Sequence, residues 1–174
     1  DSSGSHSGLR SRAAGYSMSV LGILSTTQGL KLARLSGHRD QPRWEIGLDT
    51  IKFLDTENEG ELLHELGKTV LAQLSQNPPE HLQLLKVVGS QHNHPAEIRV
   101  KVEGLLQMLG HRLQLSTSVV VPTALRNLEK KFDIFTGGSP EAVLNGGKKF
   151  KSVDLRTAVL TAWVGLPEAD RPGT

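Results

Sequence analysis

Leu30-Lys31-Leu32 and Trp44-Glu45-Ile46-Gly47-Leu48 alternate apolar and polar residues with a period of two. Between them lies Ser36-Gly37-His38-Arg39-Asp40-Gln41-Pro42, a run of turn formers. That arrangement permits a hairpin-like pair of strands. Leu48, Ile51 and Leu54 compete with it, because they continue at helical spacing and allow a helix to begin near Trp44. The fold class turns on which pattern wins. From residue 56 onward the signals are helical, so the favoured reading is an irregular or briefly extended lead-in followed by a helix over 45–54.

Thr56-Glu57-Asn58-Glu59 has the form of a capping box, and the apolar stripe Leu62/Leu63, Leu66, Val70 and Leu74 follows it. Asn77-Pro78-Pro79 stops that helix. Pro79 suits the first turn of a second one, lined by Leu82, Leu85 and Val88 and ended by Gly89. Gln91-His92-Asn93-His94-Pro95 reads as a loop into a third helix carrying Ile98, Val102, Leu105 and Leu109, with Gly110 as its stop. Ser116-Thr117-Ser118-Val119-Val120-Val121 is short and β-branched. No pairing partner is evident nearby, so it reads as an apolar connector before Pro122. Val121, Leu125, Leu128, Phe132 and Phe135 line a further helix, which Gly137-Gly138 ends. Ser139-Pro140-Glu141 opens a short helix closed by Asn145-Gly146-Gly147. Ser152 caps a last helix with Leu155, Val159 and Trp163 on its face.

The expected fold is therefore all-α: an irregular bundle of about six or seven helices behind an irregular or briefly extended N-terminal lead-in. Residues 1–17 read as a disordered tail or a vector remnant, 18–166 as a single helical domain, and 167–174 as a frayed tail.

Composition narrows the function classes. Of 174 residues, 37% are hydrophobic, enough for a sizeable core, and cysteine is absent. That absence excludes disulfide scaffolds, Cys-based zinc fingers, iron–sulfur clusters and a thiol nucleophile. Aromatics are 4%, and the two tryptophans lie at opposite ends of the chain, which argues against an extended base-stacking platform. No apolar run approaches the roughly 18 residues of a membrane span, so no membrane partner is expected. The net charge of +2 hides an uneven distribution. Residues 45–80 hold two basic and eight acidic side chains, whereas 121–156 hold seven basic and four acidic ones.

Few motifs carry chemistry. His92 and His94 have a spacing that can reach one metal, but no further ligand motif accompanies them. A small metal-dependent enzyme built on that loop is the third reading. His38-Arg39-Asp40 matches the kinase catalytic tripeptide without the rest of that machinery. Gly137-Gly138 and Gly146-Gly147-Lys148-Lys149 lack the spacing of a phosphate loop and serve better as helix stops. No enzyme and no cofactor is expected. Lys130 and Lys131 suit the C-terminal end of a helix. Lys148, Lys149 and Lys151 precede a helix, where the macrodipole does not favour cations, and so form the better partner-site candidate.

Leu105-Leu106-Gln107-Met108-Leu109, Leu113-Gln114-Leu115-Ser116-Thr117, Ala124-Leu125-Arg126-Asn127-Leu128-Glu129-Lys130-Lys131 and Asp154-Leu155-Arg156-Thr157-Ala158-Val159-Leu160-Thr161-Ala162-Trp163 together resemble one family. That family is the helical N-terminal domain of transcription elongation factor TFIIS, found also in elongin A, a Mediator subunit and the phosphatase-1 nuclear targeting subunit. The similarity runs over about residues 102–166. The family's segment before the basic helix is reduced here to Pro122-Thr123, and an insertion over about 133–150 separates the last two helices. The resemblance implies a non-enzymatic, intracellular and nuclear scaffold linked to transcription elongation. It would dock short disordered acidic–hydrophobic protein segments in an inter-helix groove, with Lys130, Lys131 and Trp163 at the site. The alternative is a nucleic-acid-associated structural protein, such as a viral nucleoprotein or capsid protein, using the basic loop Lys148–Lys151.

Overall fold

The computed structural model describes residues 17–88 and 97–169. The period-two pattern wins in the N-terminal quarter. Strands β1 (Met18–Ser25) and β2 (Gly29–Gly37) form an antiparallel hairpin, in register from Met18 opposite Gly37 to Ser25 opposite Leu30. Thr26 closes its turn, its hydroxyl accepting from the Gly29 N–H at 3.1 Å. β3 (Pro42–Glu45) and β4 (Thr50–Lys52) both pair antiparallel with the other edge of β2. Helix α1 (Glu59–Gln76) then crosses to β5 (His81–Leu85), which runs parallel to β1. Helix α2 (Glu97–Arg112) crosses to β6 (Ser116–Val120), parallel to β5. The sheet order is β3-β2-β1-β5-β6, with β4 also on β2. Four short or medium helices complete the described chain: α3 (Pro122–Glu129), α4 (Phe132–Thr136), α5 (Pro140–Leu144) and α6 (Val153–Gly165).

The all-α expectation is thus overturned by a six-stranded mixed sheet. The helix expected over 45–54 is instead the end of β3, a connection and β4. Residues 82–85, read as a helix from the three-residue spacing of Leu82, Leu85 and Val88, lie in β5. The apolar connector at 116–120 is β6, and its partner β5 lies beyond the whole of α2. The cause is the distance to the partner: β5 pairs with β1 and β6 with β5 only after a long crossover, so neither strand carries a local sign of its pairing. A six-stranded sheet also removes the TFIIS-like helical domain. Leu106 and Leu109 pack α2 onto the sheet rather than onto a helical bundle.

Several helices lie where local signals put them. α1 buries Leu62, Leu66, Val70 and Leu74, although its N-cap is Asn58, whose Oδ1 accepts from the Glu61 N–H at 3.0 Å. The helix expected to carry both Leu125 and Phe135 is two helices, α3 and α4. No helix among the described residues is long and apolar enough to cross a membrane.

Two cores sandwich the sheet. Leu21, Ile23, Leu30, Leu32, Leu82 and Leu84 face α1 and α2. Val20, Leu24, Ala33 and Leu35 face α6, which α3 and α4 cover from outside. At the centre of the second core, a Cβ on Gly22 would lie 2.4 Å from the Ala158 carbonyl oxygen and 2.5 Å from the Ala162 nitrogen. Only glycine lets the α6 backbone rest on β1 at that distance.

Trp163 is fully buried here, its ring 4.8 Å from Phe132 and 5.7 Å from Phe135. Its indole N–H donates to the Arg39 carbonyl at 2.9 Å. Arg39 in turn donates to the Leu166 and Val164 carbonyls, at 2.9 and 2.7 Å, satisfying the C-terminal end of α6. The Arg39 of the kinase-like tripeptide is therefore a helix-capping residue. Arg156 ties α6 to α3 and α5, with 2.6 Å ion pairs to Glu129 and Glu141.

Two outcomes follow for stability. Gly22→Val forces α6 off the sheet and should destabilise the protein by about 2–4 kcal/mol in urea titration; an unchanged midpoint would mean α6 is not seated on β1. The hydrogen bond from Arg156 holds the Glu141 pKa below its ordinary value. A carboxyl group depressed on folding stabilises the native state above its unfolded pKa, about 4.3, and loses that contribution as pH falls through the lower folded value. Arg156→Met should therefore flatten the acid limb of the stability–pH curve relative to the wild type. Parallel curves would show that the Glu141 pair carries none of it.

Candidate nucleic-acid interface

The functional geometry gathers where β2 loses its regular partner. β3 ends at Glu45 and β4 begins at Thr50, so residues 46–49 bow outward opposite Leu32 and Ala33. The Asp49 carbonyl still accepts from the Leu32 N–H at 3.0 Å. Ile46 is 87% exposed and Leu48 52% exposed on this bow.

Facing it is the connection between α5 and α6. Gly146 and Gly147 take φ of 60° and 80°, the left-handed region that glycine reaches without strain. The Asn145 side-chain amide donates to the carbonyls of Lys148 and Lys149, at 2.8 and 3.1 Å. The loop backbone is thereby fixed with its lysines exposed. Phe150 turns inward and packs against Trp44, with ring centroids 5.4 Å apart and planes at 53°.

Bow and loop enclose a cleft of about 440 Å³, lined among others by Arg34, Trp44, Ile46, Lys148, Lys149 and Lys151. Lys151 pairs with Asp49 at 3.3 Å. Burial alone would raise the Asp49 pKa, but the Thr50 hydroxyl and the Lys151 and Lys31 charges outweigh it and hold the carboxyl below its ordinary value. Thr50 also accepts from the Lys31 ammonium at 3.0 Å. This chain of contacts leads into a second groove around the β1–β2 turn, lined by Thr26, Lys31, Thr50, Lys52 and Asp154. A cationic surface thus runs from the α5–α6 loop to the end of the first hairpin.

The second groove borders the carboxyl ends of the parallel strands, where open α/β sheets bind their ligands. There the Ser25 carbonyl accepts from Arg99 Nε at 3.0 Å, and Glu103 accepts from the Val87 N–H at 2.8 Å. The Ser25 hydroxyl is buried without a hydrogen-bond partner among the described residues. Phosphodiester hydrolysis by paired divalent ions draws on carboxylates that converge on one point. Among the described residues no group of three or more His, Asp or Glu side chains could hold an ion. The carboxyl end of β1 presents Leu24, Ser25 and Thr26 instead. The described residues do not fit such a centre, and no metal-assisted step follows from them.

Of the residues expected from sequence, Lys148, Lys149 and Lys151 share the first cleft. Lys130 lines a separate groove with Arg126 and Arg156, and Lys131 is exposed at the start of α4. Trp163 is interior, so it offers no surface to a partner. His92 and His94 lie outside the described residues. Sequence reasoning missed Trp44, Ile46, Lys31 and Lys52 as site residues. Period-two alternation marks Trp44 and Ile46 as a strand, but nothing local shows that the strand borders a lysine loop from the other end of the chain.

No protein-family model and no curated protein matches the sequence. Solved structures do match the fold. RuvC from T. thermophilus in complex with a Holliday junction substrate superposes with a TM-score of 0.66 at 16% identity, covering 84% of this chain and 90% of that one. A second T. thermophilus RuvC structure gives 0.65 at 16% identity, covering 84% and 92%. The yeast mitochondrial Holliday junction resolvase Ydc2 gives 0.54 at 14% identity, covering 84% and 76%. These counterparts overturn the TFIIS resemblance and, with it, the non-enzymatic elongation scaffold that captures acidic–hydrophobic peptides. The chain shares the mixed α/β fold of these structures.

Proposed function

We propose that this chain binds nucleic acid, branched DNA foremost, through the cationic surface that joins the α5–α6 loop to the first hairpin. The observation that carries the reading is the convergence of Lys148, Lys149 and Lys151 on one cleft, in a chain whose fold resembles that of RuvC in complex with a Holliday junction substrate. Each lysine that neutralises a phosphate releases condensed counterions, and that release drives binding. Lys31 and Lys52 extend the same surface beyond the loop. The Asp49 partner of Lys151 fixes that ammonium at the mouth of the cleft and offsets part of its charge. The proposal concerns binding. Strand cleavage is read directly by gel analysis of the same junction with magnesium or manganese present.

The test is fluorescence anisotropy with a four-way DNA junction and a duplex of matched sequence. The variant combines Lys148→Glu, Lys149→Glu and Lys151→Glu, all at exposed positions. Wild-type protein should bind with a steep salt dependence. The variant should lose at least about tenfold in affinity, and its slope of log K against log salt should shrink by about 2–3, near 0.9 for each phosphate left without a cation. No binding at low salt, or a variant equal to the wild type, would remove the reading.

A further inference from the structure

Phosphate binding does not explain one wall of the first cleft. Trp44 is half-buried and lines it, with Ile46 and Leu48 standing out on the bow beside the tryptophan. Solvated strand edges are normally guarded by charge, twist or a covering element. Here two large apolar side chains are left open to solvent directly across from a lysine loop. Four cationic side chains face two carboxylates in the lining. Asp49 is held by Lys151, and Glu45 lies in the field of Arg34.

An aromatic wall, apolar flanks and neighbouring lysines match the parts of one nucleotide. The ring stacks, and its phosphates meet the ammonium groups. The cleft's volume of about 440 Å³ lies within the range of small-molecule pockets, about 300–1,000 Å³. A duplex cannot enter a concavity of that size. We propose that the cleft takes a single unpaired nucleobase, stacked on Trp44 between Ile46 and Leu48, with Lys148 and Lys149 on its flanking phosphates. This rests on the nucleic-acid reading above and names its substrate class: nucleic acid with an unpaired nucleotide at a branch point or gap.

The experiment uses the full chain and DNA carrying 2-aminopurine, placed either in a gap of unpaired nucleotides or within a continuous duplex. Binding should quench the probe in the gap and leave it unchanged in the duplex. Trp44→Leu should abolish the quenching and weaken gapped-DNA binding roughly tenfold, while duplex affinity stays within about twofold. Trp44→Phe, which keeps a ring, should restore most of both signals. Because Trp44 also touches the core, Ile46→Ser supplies a second, uncharged variant at an exposed site. It should selectively weaken gapped-DNA binding with an unchanged thermal midpoint. If Trp44→Leu and Ile46→Ser bind gapped DNA as the wild type does, the base site is wrong. Should the triple lysine reversal still weaken binding in that case, the broader nucleic-acid reading survives. Should it too have no effect, both fall.

Discussion

The seat of α6 on β1 fixes the position of the lysine loop relative to the sheet. Gly22 has no side chain, so the helix backbone at Ala158 and Ala162 lies directly against the central strand. Gly165 repeats the device near the other end of the helix, where a Cβ would meet Val20 at 2.8 Å. The order of these contacts runs α6 antiparallel to β1. Its N-terminus therefore sits over the carboxyl end of β1, and Asp154 lines the groove at Thr26. The loop that precedes α6 is carried to the edge of β2. A larger residue at Gly22 would shift the lysine loop as well as the core.

Around that seat, polar contacts close both ends of the helix. Ser152 caps the start, its hydroxyl accepting from the Leu155 N–H at 3.0 Å. Arg39 satisfies the carbonyls at the finish, and Trp163 anchors the Arg39 backbone in return. Arg156 holds α3 and α5 against the helix through two carboxylates. With its own termini satisfied, α6 can be apolar on nearly every side, burying Leu155 and the run from Ala158 to Trp163. The cationic surface lies outside this frame, on residues the core does not need.

Cap and stripe signals in the sequence hold for three helices, the helical spacings at 48–54 and 82–88 mislead, and long-range signals are silent. The apolar stripe of α1, the Ser139-Pro140 start of α5 and the Ser152 cap of α6 are each written within a few adjacent residues, and the structure has them there. Strands need partners. β6 pairs with β5 across the whole of α2, and β5 pairs with β1 across three intervening strands and α1. Neither partner is visible in the strand itself, so β5 reads as a helix and β6 as a connector. The same limit divides the site. The lysine cluster at 148–151 is a local charge feature that the sequence displays, whereas the opposing bow at 46–49 comes from the far end of the chain. Trp163 misleads because an indole on a helical stripe looks alike whether the helix is central or peripheral.

The most direct test of the account is hydrogen exchange of the intact chain with and without a four-way DNA junction. The cleft between the bow and the lysine loop predicts slowed exchange at residues 46–49 and 145–151, with the amides of α1 unchanged at their middle turns. Protection confined to α1 and α2, with none at the bow or the loop, would contradict it.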